Sequence, residues 1–139
     1  MLGSVYPLDF QKISHLCMVS RAVDHVEETD LLSQRKIHYQ FSARGHELSQ
    51  VILGSLLTHP RDCLSCYYRS RPILLTLGLS PEDALAGSLG RSGGINDGRD
   101  IGVVFSLIPT NGATVLPTAG GVGSQHSYCW MGTDHRLPS

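Results

Sequence analysis

Four short groups in the chain carry side chains capable of chemistry. Cys63-Leu64-Ser65-Cys66 is a CxxC pair. Such thiols can cycle between dithiol and disulfide, or form half of a zinc site that His59 and the distant Cys129 would complete. A redox CxxC usually opens a helix, and a zinc site usually brings a second close pair. This one lies in an apolar run beside two tyrosines, so buried structural cysteines are the favoured reading. Gly45-His46-Glu47 sets an imidazole and a carboxylate at an expected helix start, where capping or packing competes with direct catalysis and is favoured. Tyr67-Tyr68-Arg69, with Arg71 two residues on, brings phenols and two guanidinium forks to the exit of a buried segment. Such a corner suits an anionic group, although surface arginines beside tyrosines are also common. The glycine-rich loop Gly90–Asp100 fits neither a dinucleotide fingerprint nor a P-loop, and a flexible connector is the better reading. Gly120-Gly121-Val122-Gly123 allows a backbone to approach a ligand closely.

The elements that must position these groups follow from periodicity. From Phe10 to Arg35 the pattern is helical, with Leu16, Val19, Val23 and Val26 as the apolar stripe and Arg21, Asp24, Glu27 and Glu28 largely off it. A second helix is expected from Gly45, with Leu48, Val51, Ile52, Ser55 and Leu56 as its apolar or small face and Glu47 in its first turn. Cys63 to Tyr68 reads as an extended buried segment. Pro72 opens a short third helix that packs through Ile73, Leu74 and Leu77 and stops at Gly78. Ser80-Pro81-Glu82-Asp83 is a strong start for a fourth, running to about Leu89. Ile101 to Ile108 and Ala113 to Leu116 are short apolar pieces.

Composition bounds the class. The 139 residues carry 11 basic and 12 acidic side chains, a net charge of -1, which excludes polyanion binding by bulk electrostatics and so gives no reason to expect a nucleic-acid partner. No apolar run approaches the ~20 residues of a membrane span, so no membrane partner is expected. The opening residues carry no cationic start followed by an apolar block, and four cysteines do not suggest a disulfide framework; a cytoplasmic protein is expected. The hydrophobic fraction of 41% is enough for a core. Helices outnumber strands, and a complete α/β domain would show more βα units, so the chain reads as the opening of a domain.

The order of the segments carries a resemblance. SRAVDHVEETDLLSQRK, ARGHELSQVILGSLL, YYRSRPILLTLGLSPEDALAG, GRSGGINDGRD and LPTAGGVGSQ resemble, in that order, the alpha subunit of the thiamine diphosphate-dependent 2-oxo acid dehydrogenase E1 component. The match runs from about Ser20 to Gln125. It implies an α/β thiamine diphosphate-binding fold, of which residues 1–125 would be the N-terminal, helix-rich part with few strands. It also implies decarboxylation of a 2-oxo acid with acyl transfer to a lipoyl group, so that an E1 beta subunit or beta-like half and a lipoyl-bearing E2 component are the implied partners. The cofactor carries the difficult chemistry and the protein positions it. By the same resemblance Tyr68 and Arg69 reach the diphosphate, Val122 lies under the bent cofactor, and Ser124 and Gln125 match residues that bind a monovalent cation in some members.

Departures from the family pattern are equally specific. Gly120 and Gly121 replace a common Ser-Pro, and the Gly-Asp-Gly motif and Asn-Asn pair that hold Mg2+ in the family have no counterpart; the asparagines here are Asn96 and Asn111. Residues 126–139 leave the family pattern, and read one nucleotide out of frame they permit a family-like helix. A frameshift or sequencing slip in a longer gene is therefore expected, and the chain alone is expected to be inactive. The rival readings are a small CxxC metal or redox module and a non-catalytic fragment that docks a partner through the exposed face of the Phe10–Arg35 helix.

Overall fold

The first helix begins where Asp9, still extended, accepts the Lys12 N–H on its carboxylate at 3.0 Å, satisfying one of the donors that every helix start leaves open. The structure is a computed structural model, and it describes residues 8–95, 97–99, 107, 109 and 113–116. Helix α1 spans Phe10–Val26 and continues as a π-helical stretch over Glu27–Leu31, where the Leu32 N–H donates to the Glu27 carbonyl five residues back. Helix α2 spans Glu47–Leu56, strand β1 Cys63–Ser65, α3 Arg71–Thr76, α4 Pro81–Ser88 and strand β2 Thr114–Leu116. The described part is helix-rich with few strands.

Local chemistry explains these bounds. Helix α3 starts after Ser70 with Pro72 in its first turn, where a missing N–H costs nothing. It stops at Gly78, whose φ of +112° lets the chain turn back so that the Leu79 N–H donates to the Leu74 carbonyl at 2.9 Å. Leu74 and Leu79 then meet in the core. Helix α4 has the expected Ser80 cap, whose hydroxyl accepts the Asp83 N–H at 3.0 Å, followed by Pro81. Strands β1 and β2 pair in parallel, Leu64 opposite Val115, and the chain between them includes α3 and α4. Parallel neighbours need such a crossover.

The core gathers Val23, Cys66, Ile73, Leu74, Leu75, Leu77, Leu79, Ala84, Leu107 and Val115, with Leu16 and Val19 of α1 packed against it. Of the expected α1 stripe, Leu16, Val19 and Val23 therefore face inward, while Val26 at the end of the helix is half-buried. Three expectations need correction. Helix α1 ends at Val26 and its π continuation at Leu31, short of Arg35. Asp24 and Glu27 are not on a solvated face but buried, because both carboxylates meet the Arg71 guanidinium inside the fold. In α2 the buried residues are Glu47, Val51 and Gly54, while Leu48, Leu53 and Leu56 are exposed. The inward face is the one on which Gly54 lets α2 close against Thr76 and Ile73 and on which Val51 is fully buried, with Glu47 on the same side bonded to Arg21.

That packing needs a glycine at 54. A Cβ placed there would lie 2.8 Å from the Thr76 Cβ and 3.1 Å from the Ile73 Cγ1, so α2 and α3 touch nearly backbone to side chain. Gly54→Ala should gain about 1 kcal/mol of helix propensity and lose more to overpacking of about 1–3 kcal/mol. The expected result in urea unfolding is a net loss of stability; a variant more stable than the parent would show that the two helices do not rest on that contact.

Candidate functional site

Tyr67, Tyr68 and Arg69 follow the carboxyl end of β1 and precede α3, the position where open parallel sheets receive ligands. A tight turn holds them: the Tyr67 N–H donates to the Ser70 hydroxyl at 3.0 Å, and the Ser70 N–H donates back to the Tyr67 carbonyl at 2.9 Å. From α2, the Gln50 amide donates to the Arg69 carbonyl at 3.0 Å. The rings form a chain of contacts. Tyr39 meets Phe41 at 5.2 Å between centroids, Phe41 meets Tyr68 at 4.7 Å, and Tyr68 meets Tyr67 edge-on at 5.1 Å. The exposed Arg69 guanidinium lies over the Tyr68 ring, 5.4 Å from its centroid.

The second guanidinium of the pair behaves differently, and here the expectation of two forks converging on an anion is corrected. Arg71 is buried and turned into the fold. Its Nη1 donates to Asp24 Oδ1 at 2.5 Å and its Nη2 to Glu27 Oε2 at 2.7 Å and Oε1 at 2.9 Å. The Ser88 hydroxyl of α4 also donates to Glu27 Oε1. Asp24 receives three further bonds, from the Ser42 hydroxyl at 2.8 Å, the Ala43 N–H at 3.0 Å and the Gln40 amide at 3.3 Å. Both terminal nitrogens of the Arg71 guanidinium are thereby directed at carboxylates, as buried charge requires. Arg69 alone of the two presents its fork to solvent, and no carboxylate among the described residues pairs with it.

Glu47 is held in place by bonds to both of its carboxylate oxygens. Arg21 Nε and Nη2 donate to its Oε1 at 3.0 and 2.8 Å, and the Gly45 N–H donates to its Oε2 at 2.6 Å. Burial alone would push its pKa up, but these bonds and its own backbone N–H outweigh that and hold the carboxyl below its ordinary value. His46 occupies the cap position of α2, exposed and with no side-chain capping bond.

The CxxC pair is split by its surroundings. Cys66 is buried in the core, and burial pushes its thiol up to about 12. Cys63 is exposed, which corrects the expectation of two buried cysteines: the strand is short and its first residue lies at the surface. His59 accepts the Arg61 N–H on Nδ1 at 3.0 Å within a turn. Among the described residues no group of three His, Cys, Asp or Glu side chains gathers to hold a metal, and Cys129 lies outside them. Val122, Ser124 and Gln125, with the glycines around Val122, also lie outside the described residues.

Neither a family model nor a curated protein matches this chain. Phe41, Asp24 and Glu27 are the residues that sequence reasoning left out of the site. The seven-residue steps Ile13, Ser20, Glu27 put Glu27 in phase with a buried isoleucine, a signal outweighed by the habit of assigning carboxylates to water.

The two thiols should differ sharply in reactivity. Site-resolved alkylation at neutral pH is expected to label Cys63 quickly and Cys66 only on unfolding. Labelling of Cys66 at the rate of Cys63 in the folded chain would contradict the burial of its thiol.

Proposed function

We propose that this chain is the N-terminal part of an E1 alpha-type subunit with a thiamine diphosphate-binding fold, and that Tyr68 and Arg69 hold the diphosphate end of the cofactor. The observation that carries this reading is the location of Tyr68-Arg69: the carboxyl end of a parallel strand, with a guanidinium unpaired among the described residues stacked on a phenol ring. An exposed guanidinium offers a planar set of donors suited to phosphate oxygens. Two buried polar atoms nearby in the chain's path have no partner among the described residues, Ser65 Oγ at the end of β1 and Gln50 Oε1 beside the Arg69 backbone. Both atoms are sealed from solvent, so the group exposed to a ligand at that corner is the Arg69 guanidinium.

Magnesium fits the described residues less well. Asp24, Glu27 and Glu47 are the buried carboxylates, and each is already taken by Arg71 or Arg21. The diphosphate in this chain would therefore rest on Arg69 and Tyr68, with further ligation supplied from elsewhere.

When bound, thiamine diphosphate supplies the carbon nucleophile for decarboxylation of a 2-oxo acid. The residues of this chain contribute binding and orientation. Arg69 and Tyr68 would hold the diphosphate end, the guanidinium offsetting phosphate charge, and Val122 would support the bent cofactor, with Ser124 and Gln125 as the monovalent-cation ligands. An E1 beta subunit or beta-like half would complete the active site, and a lipoyl-bearing E2 component would receive the acyl group. A cytoplasmic setting goes with reduced cysteines at positions 17, 63 and 66.

Titration with thiamine diphosphate, followed by NMR, is expected to move the Tyr68 and Arg69 signals at weak affinity, with unphosphorylated thiamine leaving them in place. Arg69→Ala should weaken this binding by roughly tenfold or more. No 2-oxo acid turnover is expected from the chain alone. Equal shifts with thiamine, or no shift at Tyr68 and Arg69, would overturn the reading.

A further inference from the structure

The aromatic contact between Phe41 and Tyr68 joins two stretches of chain that are far apart in sequence, and both hang from one buried carboxylate. Gln40, Ser42 and Ala43, the residues around Phe41, all donate to Asp24. Arg71, three residues beyond Tyr68, donates to the same Asp24. Between Tyr68 and Arg71 the turn is closed by the paired Tyr67–Ser70 bonds, so little slack remains. The Phe41 ring, with its centroid 4.7 Å from that of Tyr68, therefore faces a partner whose backbone is fixed through Asp24. Tyr68 in turn carries the Arg69 guanidinium on its face. Contacts run from Asp24 to the segment around Phe41, from Phe41 to Tyr68, and from Tyr68 to the exposed Arg69 guanidinium.

We propose that Phe41 is a positioning residue for the Tyr68–Arg69 anion site, setting the angle of the phenol ring and, through it, of the guanidinium stacked above. Phe41 has no group that can bond an anion, so its contribution is purely geometric. A ring is required at 41 because offset and tilted aromatic pairs favour a defined angle, which an aliphatic side chain of similar bulk does not impose. The inference rests on the reading of Tyr68-Arg69 as a diphosphate site.

Inorganic pyrophosphate is the probe, titrated calorimetrically into the full chain and into Phe41→Leu and Phe41→Tyr, with the Tyr68 ring-proton shifts followed in parallel. Phe41→Leu is expected to move the Tyr68 shifts and weaken pyrophosphate binding by about three- to tenfold, the range expected for one lost aromatic pair. Phe41→Tyr should restore affinity to within about twofold, and all three chains should melt together within a few degrees. Should Phe41→Leu fail to fold, Phe41→Met carries the same comparison. Parent-like affinity in Phe41→Leu despite altered Tyr68 shifts would overturn the positioning role while leaving the site reading intact. A loss of affinity that Phe41→Tyr does not recover would also overturn it. A parent chain that does not bind pyrophosphate would overturn the site reading itself, and the positioning role with it.

Discussion

Arg71 brings one positive charge into a region where two carboxylates, those of Asp24 and Glu27, are already withdrawn from water. Leaving either partner alone there would strand a charge in a medium of low dielectric, at a cost of about 3–5 kcal/mol. The arrangement holds because the remaining lone pairs are met by Ser42, Ala43, Gln40 and Ser88. This cluster ties four parts of the chain together: the end of α1 with its π continuation, the 40–43 segment, the start of α3 and the end of α4.

The candidate site depends on that anchor. Tyr68 and Arg69 sit on a turn between β1 and α3, and a turn has few interactions of its own to fix it. Here its far end is fixed by Arg71, its middle by Gln50 and Ser70, and its ring by Phe41. The two arginines of one short motif thus have opposite duties. Arg71 is taken up in the buried ion cluster, and Arg69 leaves its guanidinium at the surface. The exposed Leu48, Leu53 and Leu56 of α2 follow from the same economy of faces, because Glu47 and Gly54 occupy the inward side.

Much of the fold was legible where a single local rule decides the outcome. Ser80-Pro81, Gly78 and the Leu16-Val19-Val23 stripe each announce a cap, a stop or a buried face, and the structure follows them. Extended structure in the CLSCYY stretch was readable from its apolar and aromatic character, although only Cys63–Ser65 pairs. What was not legible depended on pairing across distance. Asp24 and Glu27 look like surface residues until Arg71, more than forty positions later, is brought against them. Leu48 and Leu56 look like core until α2 is seen to close on α3 through Val51 and Gly54. Tyr68 and Arg69 could be chosen from residue type, whereas Phe41 has no chemistry of its own and becomes visible only through its contact with Tyr68.

The claim beneath all of this is that the buried Arg71 bridge fixes the relation between α1 and the β1–α3 turn. Urea unfolding of Arg71→Ala measures it most directly. The account predicts a loss of about 3 kcal/mol or more, enough to broaden or abolish the cooperative transition, because two buried carboxylates lose their counter-charge. An Arg71→Ala chain that unfolds cooperatively within about 1 kcal/mol of the parent would contradict it, since that is the worth of an exposed ion pair and not of a buried one.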